Sequence, residues 1–365
     1  MKFLFIAPRY HMNLHYRLQA LTKNSQKVHF LAMYRGKSED YSIVEPEILG
    51  YSWCFKVINK LFNKNKGRLM KNDFELRYSH PGFFKLFWKI KQAKADVLVI
   101  KNIQSIMSIF ALVIGRLMRK KIIVLLQIDK YRPKAKSYSI DMVGKLFGAK
   151  VVTPRLGDRQ YKNKNRNLFY IPFAVNTDDF NKIYFVGDKI NIMSIGKLQE
   201  RKGHLVLAQA INVLKNKFDF KVTIIGEEDE DVYTRQLMDY IKENNLSGII
   251  DIKLNLSHQR VTEEYKKQDL YILPSWSEAA SITIAEGMSF KLPVISSDDN
   301  GTQCYVEDGV NGYIFKNRNT DDLIAKIEAI VSDKDNLQKM GQASFDIAKS
   351  NHSLDKFYES FMKLI

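Results

Sequence analysis

Two carboxylates eight positions apart, Glu278 and Glu286, lie in Leu273-Pro274-Ser275-Trp276-Ser277-Glu278-Ala279-Ala280-Ser281-Ile282-Thr283-Ile284-Ala285-Glu286-Gly287-Met288. The segment reads as a buried strand ending at Pro274, a loop carrying Glu278, and a helix opening near Ser281, a residue type suited to the N-cap. The first amides of that helix can hold a phosphate, helped by the helix dipole, and Ala279 and Ala280 are small enough to let one approach. Ala280, Ser281 and Ile282 are therefore candidate phosphate contacts. One carboxylate on the loop and one on the helix can grip opposite ends of an elongated polyhydroxy ligand. A solvated loop glutamate and a helix-surface glutamate would give the same spacing.

A second constellation is Met193-Ser194-Ile195-Gly196-Lys197-Leu198-Gln199-Glu200-Arg201-Lys202-Gly203-His204-Leu205, a strand, a basic loop and a helix. Gly196 is expected to let the backbone turn tightly. Lys197 and Lys202 are point charges that can converge on one diphosphate. Alone, such lysines are also what a solvated loop contains. Combined on neighbouring strand ends, the two loops supply cations, helix amides and two carboxylates, which together suit a nucleoside diphosphate sugar.

The elements that must position these loops follow from hydrophobic patterning. Short apolar runs alternate with amphipathic stretches, the pattern of parallel sheets with helices on both faces. Strands are expected at 2–7, 27–33, 96–101, 121–127 and 149–153, then at 190–195, 220–225, 249–253, 270–274 and 293–296. A hairpin-like end is expected in Glu307 to Tyr313, where Asp-Gly and Asn-Gly follow one another. The non-periodic stretch from Ile171 to Phe180 reads as a hinge, dividing an α/β chain into domains 1–172 and 173–349. One last amphipathic helix, about 335–363, has its end, 350–365, returning to the first domain. In doubly wound sheets ligands bind at the carboxyl ends of the strands, where both loops fall.

Composition narrows the setting. The chain of 365 residues carries a formal charge of +17, with 34 Lys and Arg against 10 Asp and Glu in residues 1–175 and 23 against 30 in the remainder. So uneven a split implies that the first half faces something anionic: lipid head groups, a lipid-linked phosphate or nucleic acid. Cys54 and Cys304 form no disulfide framework or metal spacing and suit a reducing cytosol. The apolar start is too short for a signal peptide, and the apolar window Ile103 to Met118 falls short of the ~20 residues a bilayer requires. Three basic patches stand out, at 56–64, 83–91 and 116–121. In the second, Phe83, Phe84, Phe87, Trp88 and Ile90 interleave with Lys85, Lys89 and Lys91, as in an interfacial helix. A helix whose apolar face belongs to the core has the same pattern.

From Asn191 to Phe315 the sequence resembles the retaining glycosyltransferases of family 4. Gly-Lys-Leu-x-x-x-Lys-Gly at 196–203, the pair Glu278 and Glu286, and Pro293-Val294-Ile295 followed by Gly301, Gly309 and Asn311-Gly312 stand in that family's order. The resemblance implies the GT-B fold, two Rossmann-like doubly wound lobes facing each other across a cleft. It implies that Lys197 and Lys202 bind the donor diphosphate, Glu278 the donor sugar and Glu286 the ribose. It also implies transfer of a hexosyl or N-acetylhexosaminyl group with retention, without a metal or other cofactor, from a nucleotide-sugar, UDP before GDP. Acceptors of similar enzymes are lipid-linked glycans of cell-surface polysaccharide (O-antigen or capsule, lipopolysaccharide included). That sets an expectation of a cytoplasmic protein bound peripherally to the inner face of the cell membrane.

The first half departs from the family pattern. In place of a Gly-Gly loop after the first strand it has Pro8-Arg9-Tyr10-His11-Met12-Asn13-Leu14-His15, and in place of a His after a central strand it has Leu126-Gln127-Ile128-Asp129. His11 is expected to face the crevice and Asp129 or Gln127 to stand in for the missing histidine, making His11 and Asp129 catalytic candidates beside Glu278. His11 and His15 share a metal-ligand spacing, but no carboxylate stands between them, and no metal site is expected. A nucleic-acid-binding protein is the rival that the charge suggests, but it lacks any recognition motif. A nucleotide-sugar epimerase on the same scaffold is a second.

Overall fold

The computed structural model describes residues 1–36, 39–62, 78–131, 138–158, 166–227 and 231–365. It divides into two compact units, residues 1–172 together with 357–365, and residues 173–356.

In the first unit the elements run β1 (Lys2–Ile6), α1 (Met12–Lys23), β2 (Lys27–Ala32), β3 (Glu47–Ile48), α2 (Trp53–Phe62), α3 (Phe83–Ala93), β4 (Val97–Lys101), α4 (Ile106–Leu117), β5 (Lys121–Leu125), β6 (Asp129–Tyr131), α5 (Tyr138–Phe147), β7 (Ala149–Thr153), β8 (Arg155–Gly157) and β9 (Leu168–Tyr170). Seven of these strands form one parallel sheet in the order β3-β2-β1-β4-β5-β7-β9, and β6 pairs with β8 in a small ribbon. β1 and β4 read as unbroken apolar runs because both faces are covered: Phe3, Leu4, Val97 and Leu98 are fully buried. Leu86 and Ile90 of α3 and Met107, Ala111 and Ile114 of α4 fill one side of this core.

The second unit contains β10 (Ile190–Ile195), α6 (His204–Leu214), β11 (Phe220–Gly226), α7 (Asp231–Glu243), β12 (Ile250–Leu254), α8 (His258–Lys266), β13 (Leu270–Leu273), α9 (Thr283–Ser289), β14 (Val294–Ser297), β15 (Gly312–Phe315), α10 (Thr320–Val331) and α11 (Lys334–His352). Its sheet runs β12-β11-β10-β13-β14-β15, all parallel. Numbered within the unit, this is 3-2-1-4-5-6, the dinucleotide-binding order whose direction of winding reverses between the first and fourth strands. The expected α/β class with two Rossmann-like lobes is thus what the chain adopts.

Two local expectations need correcting. The Asp-Gly and Asn-Gly turns do not make a hairpin, since Gln303–Tyr305 ahead of them is a single 3-10 turn and Gly312 enters β15, which pairs parallel with β14. A hairpin needs a strand on each side of its turn, and only one is present. The single last helix is two, α11 and α12 (Leu354–Met362), because Ser353 is extended at φ −60, ψ 155. There the Val175 amide donates to the His352 carbonyl at 2.8 Å, removing the acceptor that a continuous helix would use. The chain rejoins the first unit at Phe357, not at 350. Phe361 then packs on Phe3 with ring centroids 6.1 Å apart, and Lys121 and Lys150 donate to the carbonyls of Ile365 and Leu364.

Candidate functional site

The loops after β10 and β13 adjoin because those two strands are neighbours at the reversal of winding. The β10 loop turns through Glu200–Lys202 and ends at Gly203, whose φ of +71° is left-handed; a Cβ there would overlap the Pro274 carbonyl oxygen of the β13 loop. Gly203 therefore permits the contact between the two loops, which the Trp276 amide reinforces by donating to Arg201 O at 2.9 Å. Gly196 does not make a left-handed turn. A Cβ on it would lie 3.1 Å from Lys202 Cδ, so its bareness makes room for the lysine stem.

Lys202 and Glu278 form an ion pair, with both side chains 13% exposed, and Arg201 reaches the same Glu278 oxygen at 3.1 Å. Burial lowers the Lys202 pKa, while the Glu278 carboxylate opposes that shift. Lys197 is more exposed and lies 3.9 Å from Glu227. Glu278 is held by its backbone too, donating to Asp299 O at 3.3 Å and accepting from the Gly301 amide at 3.0 Å.

Glu286 is buried on α9, and Tyr265 of α8 donates its phenolic proton to Glu286 Oε2 at 3.2 Å. Ser281 does not cap α9: its amide donates to Thr302 Oγ1 at 3.1 Å, and its hydroxyl pairs with Thr283 Oγ1 at 2.7 Å. The cap residue is Ile282, and the first intrahelical bond runs from the Glu286 amide to Ile282 O at 3.1 Å. Amides ahead of that bond, at Thr283 and Ile284, lie in the first turn, where a helix has no internal acceptors. Ala280 is buried in the loop before them.

His204 completes the site from below. It is fully buried, with Nε2 3.2 Å from Gly196 O and Nδ1 3.4 Å from Ser194 Oγ, and desolvation lowers its pKa to about 4. At neutral pH it is a neutral imidazole tying the start of α6 to the end of β10. Arg201 and His204 were both missed as site residues from sequence. The signal for Arg201 was present, a cation beside Lys202; that for His204 was not, since nothing in its neighbours indicates its burial.

In the first unit His11 ends the loop after β1 as the residue preceding α1. Burial first, then Lys101 and Arg9, push its pKa well below the usual histidine range. Lys101, at the end of β4, donates to Asn13 Oδ1 at 3.1 Å. His11 thus lies at the corresponding reversal of the first sheet, between β1 and β4. Asp129 is already engaged. It forms an ion pair with Arg155 (2.7 Å), joining β6 to β8, so its carboxylate has a structural use.

Two of the lysines expected to face lipid have partners within the first unit. Lys85 donates to Leu49 O at 2.6 Å, and Lys89 is paired with Glu47 at 2.6 Å. Lys85 nonetheless stays exposed, as does Lys91, which lies 4.8 Å from the Trp88 ring centre. Among the described residues no helix is long and apolar enough to cross a membrane. Asn63 and Lys64 of the first basic patch lie outside the described residues.

Residues 175–346 match the family model described as Glycosyl transferases group 1. Curated relatives include an uncharacterized glycosyltransferase of Haemophilus influenzae, 23% identical over 56% of this chain and 57% of its own length. Another is the amylovoran biosynthesis glycosyltransferase AmsK of Erwinia amylovora, 27% identical over 34% of this chain and 32% of its own. The chain spans about half the length, or less, of the curated relatives it matches. Among solved structures, a glycosyltransferase of Rickettsia africae superposes with a TM-score of 0.75 at 18% identity, covering 99% of this chain and 97% of that one. Anabaena HepE in complex with UDP and glucose does so with a TM-score of 0.75 at 13% identity, covering 100% and 98%. The fold is GT-B.

Proposed function

From the match of residues 175–346 to the group 1 glycosyltransferase model, we propose that this chain moves a hexosyl or N-acetylhexosaminyl group from a nucleoside diphosphate sugar, with retention, onto a lipid-linked glycan of a cell-surface polysaccharide. UDP is the first candidate for the nucleotide, since HepE is solved with UDP and with UDP-glucose. The observation that carries the reading is the convergence of Lys202, Arg201 and Glu278 beside α9 at the reversal of the second sheet. Such a point is where a doubly wound sheet takes a nucleotide.

In this reading the donor diphosphate meets Lys202 and Lys197 and the first-turn amides of α9. The sugar hydroxyls replace part of the Lys202 contact on Glu278, and the ribose hydroxyls bond to Glu286, whose orientation Tyr265 holds. As the glycosidic bond breaks, negative charge grows on the departing diphosphate. Fixed ammonium groups and amides stabilise it without rearranging, usually the largest contribution in such a site. This supply of charge makes a metal ion unnecessary, and transfer is expected to survive EDTA. The neutral His11 imidazole is the candidate contact for the acceptor or the donor phosphate. Synthesis of this kind belongs at the cytoplasmic face of the membrane.

A thermal-shift series with UDP, GDP, ADP, CMP and their sugars tests the reading, because a ligand that binds only the folded state raises the melting temperature. A rise with one nucleoside diphosphate and its sugar, lost in Lys202→Ala, is the expected result. No shift with any of them would remove the donor site.

A further inference from the structure

We propose that the first unit docks on an anionic lipid surface through the aromatic face of α2 and α3, with Trp53, Phe84 and Trp88 entering the head-group layer. This deepens the membrane part of the reading above and rests on it for the meaning of docking. Among the described aromatic side chains these three are the most exposed, at 76%, 77% and 54%. They are not core residues turned outward by chance, since each helix has a separate inward stripe: Phe55 on α2, and Leu86 and Ile90 on α3, are buried. Phe84, Trp88 and Lys91 follow at spacings of four and three, one outer face of a helix.

Trp53 and Phe84 lie in the first turns of their helices, and those turns are joined. The Ser52 amide donates to His80 O at 2.9 Å, and a Cβ on Gly82 would lie 3.9 Å from that of Ser52. The helix starts that carry Trp53 and Phe84 thus adjoin, and exposed aromatics set this close in the chain's fold are what marks a contact surface.

Charge selects the occupant. Neither α2 nor α3 contains an Asp or Glu, while Lys56, Lys60 and Lys91, with Lys94 just beyond α3, are exposed. Lys91 lies over the Trp88 ring, so an ammonium and an indole share one level, as they do where a helix rests at the boundary of acyl chains and phosphates. A second copy of the chain would bring these lysines against one another across a two-fold axis and be repelled. Lys85 and Lys89, tied to Leu49 O and Glu47, take no part.

The test uses the full chain with vesicles of phosphatidylglycerol and phosphatidylcholine, against phosphatidylcholine alone. Two of the three tryptophans, Trp53 and Trp88, lie on the patch, so docking is read both by sedimentation and by a blue shift of tryptophan emission. Anionic vesicles should give both signals at low salt. Trp53→Ser/Phe84→Ser/Trp88→Ser should lower the bound-to-free ratio about tenfold or more, while its thermal shift with UDP stays that of the parent. Lys85→Ala/Lys89→Ala should bind like the parent. If the triple variant sediments as the parent does, this face is not the docking surface, although membrane binding stands. If the parent sediments with neither vesicle, both fall. If the parent is a dimer that the triple substitution dissociates, the face belongs to a second copy and the proposal is overturned.

Discussion

Lys202 donates to Glu278 across a sequence separation of 76 residues, and Arg201 meets the same carboxylate oxygen. The loop cation that a diphosphate would use is already held by the carboxylate that a sugar would use. In the proposed reading the donor would exchange part of this ion pair for its own contacts, its diphosphate bringing negative charge to Lys202 and Arg201.

Lys202→Ala should slow transfer on the order of 10²-fold or more, the scale expected when a contact to developing charge is removed. Lys197→Ala acts in the same sense, and by less, because Lys197 is more exposed. Steady-state kinetics at saturating nucleotide-sugar separate the two. Normal turnover in Lys202→Ala would remove its assigned role.

Glu278→Ala should lower the melting temperature more than Lys202→Ala does. The first leaves a largely buried ammonium near Arg201 and Lys197, both of which disfavour its charge; the second leaves Glu278 with Arg201 still attached. Uncompensated buried charge is the costlier defect. Equal losses, measured by calorimetry at pH 7, would mean that water screens the pair.

Glu286→Gln should raise the KM for the donor while kcat changes less, as expected of a ribose contact. Tyr265→Phe removes the 3.2 Å bond that orients Glu286, together with the 3.3 Å contact of the same hydroxyl to Thr283 O, and leaves the carboxylate in place, so it should shift KM in the same direction and less far. A fall in kcat with KM unchanged would reassign Glu286 to the reacting sugar.

Stability should decline on acidification between about pH 6.5 and 4. His204 and His352 are buried, and desolvation takes the pKa of each to about 4. The unfolded chain takes up protons near pH 6.5 that the folded chain refuses, so the stabilisation is complete above that value and lost as pH falls through the window. His352, whose Nδ1 lies 2.9 Å from Phe173 O, is the cleaner probe because His204 bonds directly to Gly196 O of the β10 loop. His352→Asn should flatten the dependence of melting temperature on pH; an unchanged slope would show that this residue does not carry it.

Asp129→Asn should cost little stability, ~0.2–1 kcal/mol, since the Arg155 pair is partly exposed. A double-mutant cycle with Arg155→Gln should show that the two losses are shared, with kcat retained. Loss of kcat from Asp129→Asn alone would give it the catalytic role that its place after β5 suggested.

Much of this protein is legible in the order of its residues. Short apolar runs such as Phe3 to Ile6 and Leu270–Leu273 read as strands covered on both faces, and that pattern, with loops after strands, marked 196–203 and 278–286 as the informative segments. Residue type also limited the chemistry there to cations and carboxylates. What pattern could not supply was which charges are already spent. That Lys202 is held by Glu278, Lys89 by Glu47 and Asp129 by Arg155 depends on partners far along the chain. The same holds for backbone ends: Ser281 looks like a helix cap, yet its hydroxyl pairs with Thr283 Oγ1 and its amide with Thr302, 21 positions on, and the last helix looks continuous until Val175 takes the His352 carbonyl. Hydrophobic periodicity is a local property, repeated along each element, and survives in the sequence. Ion pairs and hydrogen bonds act over a few ångströms between single atoms, so only the folded chain decides which groups remain for a ligand.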